Sequence, residues 1–495
     1  MRRARAVAVA LTIVVLSSCS SDTHKPGATA SSASTASAST SAPPPAGTFV
    51  PAPIAWNDCG RNLRCATVKV PLDYTDPTGR TVDVAVNEVP ARQPAQRIGA
   101  LLVNPGGPGG SGLQFVARGL ELPATILDRF DVIGFDPRGV GSSTKLPCGD
   151  STVPAFRHVD SSPDTPEEHT ALDDAAKAVA DDCTQHAGDL LPFMGTDDAV
   201  RDIDTIRQAL GESQLNFLGI SYGTLLGLRY AELFPHNARA IVIDGVIDPT
   251  QDFVTFLRQQ TIAYDKQANV VFDGCPDGGD GCPPGGAGAA YDELAARVEA
   301  APIPGPNGKS LGPSELVDAG LIPTYEPAAD SQFYDALSSA LNDRPGQMLA
   351  LAAAYQESVD YPLYASVECI DSPHPEGSAA FRAFAQELAS LSPRFGAAIA
   401  NELLPCAYWS APVRSVVGPV TAPDAPPMLV IGTTGDPATP YDQAVRVAQT
   451  LAHGRLLTFV GDRHAAYGAS QCAADAEAAY FIDLTLPPEG TTCNR

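Results

Sequence analysis

Beyond residue 65 the chain alternates short apolar runs with longer runs of helical period. Residues 66–72 and 81–89 flank the turn-forming Asp76-Pro77-Thr78-Gly79 and predict a β-hairpin. Residues 100–103 and 130–135 read as buried strands. The first leads into a glycine-rich loop and the second into Asp136-Pro137-Arg138-Gly139-Val140-Gly141. Val200, Ile203, Ile206 and Leu210 recur at helical spacing, which predicts a helix over 196–210 that stops at Gly211. Further strands are predicted at 215–218, 240–243, 428–431 and 456–460, with a closing helix over 473–484. Strands alternating with helices predict an α/β fold whose mainly parallel sheet is covered on both faces.

Between the strands at 240–243 and 428–431 the strand rhythm stops. Helical runs replace it, at 289–300, 333–341 and 348–356. Such a stretch is too long for a simple crossover. It predicts an inserted, mostly helical cap over 250–420, dividing a core into residues 54–249 and 421–495.

The amino terminus follows another pattern. Arg2, Arg3 and Arg5 precede an apolar run too short to cross a bilayer as a helix. Residues 1–18 therefore read as a signal peptide, which makes the protein exported. The run ends Leu16-Ser17-Ser18-Cys19, which resembles a bacterial lipobox and implies a lipid anchor on Cys19. Residues 19–53, rich in Ser, Thr, Ala and Pro, then form a tether that cannot build a core.

Cysteine count agrees with that compartment. Setting Cys19 aside leaves ten of eleven cysteines, which fall into neighbouring couples: Cys59/Cys65, Cys148/Cys183, Cys275/Cys282, Cys369/Cys406 and Cys472/Cys493. Disulfides are expected, and no CxxC pair or histidine cluster suggests a metal. A net charge of −25 argues against nucleic acid as a partner. Oligomeric state is not legible.

Gly219-Ile220-Ser221-Tyr222-Gly223 fits G-x-S-x-G, a strand-to-helix turn that exposes a nucleophilic serine. Serine needs a base, and such an arrangement supplies acid and histidine later in the chain, in that order. His453 sits at a helix end and reads as a cap, whereas His464 follows a predicted strand in Gly461-Asp462-Arg463-His464. Asp436, after the strand at 428–431, is the expected partner of the imidazole; Asp462 is the weaker rival. Thr439 could donate a hydrogen bond to the Asp436 carboxylate. An oxyanion would be held by the Tyr222 amide and by Gly106 or Gly107 of Asn104-Pro105-Gly106-Gly107-Pro108-Gly109-Gly110. That loop lacks the lysine of a phosphate-binding loop.

Taken with Asp436, Thr439-Pro440 and His464, the runs Gly106-Gly107-Pro108-Gly109, Asp136-Pro137-Arg138-Gly139 and Gly219 to Thr224 resemble the secreted tripeptidyl-aminopeptidase family of actinobacteria. That family lies within the prolyl-aminopeptidase group of α/β-hydrolases and includes mycobacterial cell-envelope proteases. The resemblance spans roughly 55–495 and includes Cys369-Ile370-Asp371 and Cys406-Ala407-Tyr408-Trp409. It implies a peptidase acting on short peptides with a free amino terminus, without cofactor. An aminopeptidase needs a carboxylate in the cap for the substrate ammonium, and Glu368 and Asp371 are the candidates. The triad alone leaves an envelope ester or lipid hydrolase as the alternative.

Overall fold

The computed structural model describes residues 49–494. The signal peptide, Cys19 and the tether up to residue 48 lie outside the described residues. Among those described, no helix is long and apolar enough to cross a membrane.

The described residues form a ten-stranded sheet. Its strands are β1 (Asn57–Gly60), β2 (Leu63–Pro71), β3 (Thr81–Val89), β4 (Gly99–Asn104), β5 (Phe130–Phe135), β6 (Leu215–Ile220), β7 (Ala238–Asp244), β8 (Met428–Thr433), β9 (Gly454–Val460) and β10 (Thr492–Asn494). Their spatial order is β1-β2-β3-β5-β4-β6-β7-β8-β9-β10. From β5 to β10 every pairing is parallel. The hairpin β2–β3 and its neighbours supply an antiparallel edge.

Strand periodicity explains why both faces are covered. Along β7, Ala240 and Val242 enter one apolar cluster while Ile241 and Ile243 enter another. Successive side chains point to opposite faces, so a strand apolar at every position demands helices above and below.

A third apolar cluster holds the helical layer together. It includes the helices Phe253–Asp273, Gly286–Ala300, Pro313–Tyr325, Asp330–Leu341, Gly346–Gln356 and Gly377–Leu391. Its membership differs from the expected span of 250–420 at both ends. Phe156, Leu172, Ala176 and Val179 join it from residues 152–179. Ala411 and Val420 pack instead with the sheet. The helix Pro166–Ala187 explains the first difference, since it also sends Cys183 and Ala187 to the sheet's cluster and so bridges the two layers.

The helix Tyr361–Asp371 joins the layers through three stripes. Leu363, Val367 and Ile370 pack on the sheet's cluster, while Tyr361, Ala365 and Cys369 pack on the helical one. Tyr364 and Glu368, four residues apart, line a cavity between them. Disulfides join Cys59–Cys65, Cys148–Cys183, Cys275–Cys282, Cys369–Cys406 and Cys472–Cys493.

Candidate active site

Ser221 stands between β6 and the helix Tyr222–Leu233, at φ 56° and ψ −126°. A non-glycine residue rarely occupies that region, and such strain persists only where its surroundings enforce it. The Ser221 amide donates to the Asp244 carbonyl at 2.9 Å, tying the turn to β7. The glycines of the motif are steric necessities: a β-carbon on Gly219 would lie 2.1 Å from the Gly223 carbonyl oxygen.

The loop after β4 meets this turn at close range. Gly106, at φ 99°, approaches so tightly that a β-carbon there would sit 2.7 Å from the Ser221 Cβ. Its amide is committed to Asn104 Oδ1 at 2.9 Å. The Gly107 amide has no hydrogen-bond partner among the described residues. Of the two glycine amides expected to hold an oxyanion, only that of Gly107 is therefore left for a ligand. Asp136 secures the far end of the loop, accepting from Ser111 Oγ at 2.6 Å and from the Leu113 amide at 3.1 Å.

His464 lies in the loop after β9. Its Nδ1 is 2.9 and 3.0 Å from the two carboxylate oxygens of Asp436, whose side chain is fully buried. The rival Asp462 makes no bond to the ring. Asp436 also accepts the amides of Ala438, Thr439 and Ala465 at 2.8–3.0 Å. Thr439 therefore contributes through its backbone, and its hydroxyl has no partner among the described residues, contrary to the expected side-chain bond. Orientation by a buried carboxylate fixes the proton on Nδ1 and leaves Nε2 as the basic nitrogen. Nε2 is buried and has no hydrogen-bond partner among the described residues. Burial opposes the charged imidazole, but the Asp436 charge and hydrogen bond outweigh it, so the pKa rises above 6.5.

Ser221, His464 and Gly107 line one cavity of about 570 Å³. Glu368 and Glu402 line it too, and burial raises Glu368 to about 8, helped by the charges of Asp371 and Glu402. Glu402 is raised as well, mainly by burial, despite the opposing charge of Arg157 and hydrogen bonds from Tyr355 and Tyr364. Asp371 does not line this cavity. Its carboxylate instead accepts the Thr196 amide at 3.0 and 3.2 Å, at the start of the helix Thr196–Ala209.

Similarity to known proteins follows the same layout. A family described as alpha/beta hydrolase fold matches residues 99–276, and one described as TAP-like protein matches 392–493. The chain is 33% identical to tripeptidyl aminopeptidase of Streptomyces lividans, over 82% of this chain and 80% of that protein. It is 31% identical to serine protease Hip1 of Mycobacterium tuberculosis, over 89% and 91% of the two chains. The chain belongs to the tripeptidyl-aminopeptidase family of α/β-hydrolases. Carboxylesterase B of M. tuberculosis, 35% identical over 91% of this chain and 92% of its own, shares the relationship.

The structure brings to the site residues that its motifs do not announce. Glu402 is one; it lies in the turn just before the short helical segment Leu404–Tyr408 that holds Cys406, and the Cys369–Cys406 bridge joins that segment to the helix of Glu368. That cysteine couple was the available signal. Tyr325 is another: its carbonyl accepts the His464 amide at 3.1 Å. Asp244 is a third, its carboxylate accepting the Ala466 and Tyr467 amides at 2.7–3.0 Å just beyond the imidazole.

Proposed function

We propose that this protein is an exported serine aminopeptidase that releases short peptides from a free amino terminus, with Ser221, His464 and Asp436 as its triad. The observation that carries the reading is the cavity, which the carboxylates of Glu368 and Glu402 line together with Ser221 and His464. An ammonium group is the ligand that relieves two neighbouring half-buried acids, because it pairs with both. The names of the relatives point the same way.

In the mechanism, the Ser221 hydroxyl attacks the scissile carbonyl while His464 Nε2 takes its proton. Asp436 steadies the resulting imidazolium. The Gly107 and Tyr222 amides stabilise the oxyanion, and both can do so without giving up an existing bond. The tetrahedral intermediate then expels the leaving amine, which receives the proton from His464. Water, deprotonated by the same imidazole, attacks the acyl-enzyme and frees the short peptide and Ser221.

Cys19 carries the lipid that holds the enzyme at the membrane, with residues 20–53 as its leash. Neither peptide hydrolysis nor anchoring calls for a cofactor.

The test compares a free-amine peptide amide, its amine-acylated twin and a matched ester. Efficient cleavage of the first with loss of the second supports the aminopeptidase. Hydrolysis of the ester alone would establish the esterase alternative. Ser221→Ala should cost on the order of 10⁶ in kcat on any of them.

A further inference from the structure

Glu368 and Asp371 are one turn apart on the same stripe of the helix Tyr361–Asp371, yet they serve different layers. Glu368 faces the cavity, whereas Asp371 reaches across to the helix Thr196–Ala209. The contact is built for close approach: a β-carbon on Gly195 would lie 2.8 Å from Asp371 Oδ1. Burial and the charges of Asp197 and Asp198 push the Asp371 carboxyl up, and the positive end of that helix and the Thr196 bond offset part of that cost. The Thr196 hydroxyl in turn meets the Tyr222 hydroxyl at 2.7 Å, and Tyr222 directly follows the serine. Asp371 and Thr196 are both buried. A continuous polar path thus runs from the helix bearing Glu368 to the residue beside Ser221.

We infer that Asp371 is a positioning residue that sets the distance between the amine-binding carboxylate and the nucleophile, and so selects how many residues are removed. The inference rests on the aminopeptidase reading. A substrate whose ammonium reaches Glu368 presents its scissile carbonyl to Ser221 only if the intervening peptide has the right length. The Asp371–Thr196 bond is the polar tie that holds Glu368's own helix against the start of Thr196–Ala209. Other bonds on that helix's end, from the Arg414 and Val416 amides, go to a connecting segment instead.

The experiment uses free-amine peptides of graded length bearing one leaving group, with p-nitrophenyl acetate as a substrate too small to span the two sites. Asp371→Asn weakens the bond from one side; Gly195→Ala crowds it from the other. Both variants should lower the preference for the best length over its neighbours by about tenfold, since displacement of the order of an ångström is enough to misalign a reacting group. Their acetate hydrolysis and their rate of fluorophosphonate labelling at Ser221 should stay within about twofold of the unaltered enzyme. A general structural defect would depress all substrates together, and that result overturns the inference. So does a length profile left unchanged in both variants. An unaltered enzyme that hydrolyses the acetate and no peptide would sink the aminopeptidase reading itself, a failure visible before any variant is made.

Discussion

The Tyr325 carbonyl accepts the His464 amide, and the two rings meet nearly perpendicular with centroids 5.6 Å apart. Tyr325 ends a helix of the capping layer, and the next residue, Glu326, pairs with Arg463 at 2.9 Å. The roof over the cavity therefore grips the loop that carries the base. Removing the ring by Tyr325→Ala should lower kcat about tenfold, because the imidazole loses a wall. Tyr325→Phe keeps the ring, loses only the hydroxyl contact with Tyr264, and should stay near full activity. Equal losses in the two would assign the effect to the hydroxyl.

Gly106 has no room for a side chain beside the serine. Gly106→Ala would bring a β-carbon within 2.6 Å of the Ile220 carbonyl oxygen at a backbone angle that costs alanine strain. The loop must retreat, and the Gly107 amide moves with it. Loss of one oxyanion donor costs about 10²–10³ in kcat, and that is the expected drop. Steady-state kinetics with circular dichroism as a folding check reads it; a variant with unchanged kcat would remove Gly107 from the oxyanion site.

Activity requires the neutral imidazole. Because the folded pKa of His464 lies above 6.5, kcat/KM should fall as pH drops through a value on the alkaline side of 6.5. An ester without an amine avoids titration of the substrate. Asp436→Asn removes the charge that raises the pKa, so the same limb should move to lower pH while kcat falls by about 10⁴. An acid limb that does not shift would show that another group controls it.

Glu402 and Glu368 line the cavity together, and burial pushes both carboxyls up. Replacing either by glutamine should raise KM for free-amine peptides by about 10- to 100-fold with kcat little changed, the signature of lost substrate binding. Amine-acylated substrates should not distinguish the variants. If Glu402→Gln left KM untouched, Glu368 would be the sole amine ligand.

How much of this was readable beforehand differs residue by residue. The elbow was legible because G-x-S-x-G between an apolar strand and a helix is a local signature, and its steric logic operates within five residues. The order of the later strands placed Asp436 and His464 at adjacent strand ends, since β8 and β9 pair in parallel. Asp136-Pro137-Arg138-Gly139 stood out as a run, but its meaning did not. Arg138 is buried and donates to Pro71, Leu72 and Phe193 carbonyls and to Asp202, so it clamps the hairpin to the helix Thr196–Ala209. Nothing within the run names those partners.

The chain by itself determined the strand–helix rhythm and the motif that strains Ser221, because periodicity and backbone sterics act over local distances. Folding alone decided that Glu368 opens into the cavity while Asp371, one turn on, turns to Thr196. It also decided that Glu402 joins the first and that Gly106 spends its amide on Asn104. Those outcomes depend on which distant backbone groups come within about 3 Å, and the hydrogen bond is too short-ranged for any linear pattern to encode it.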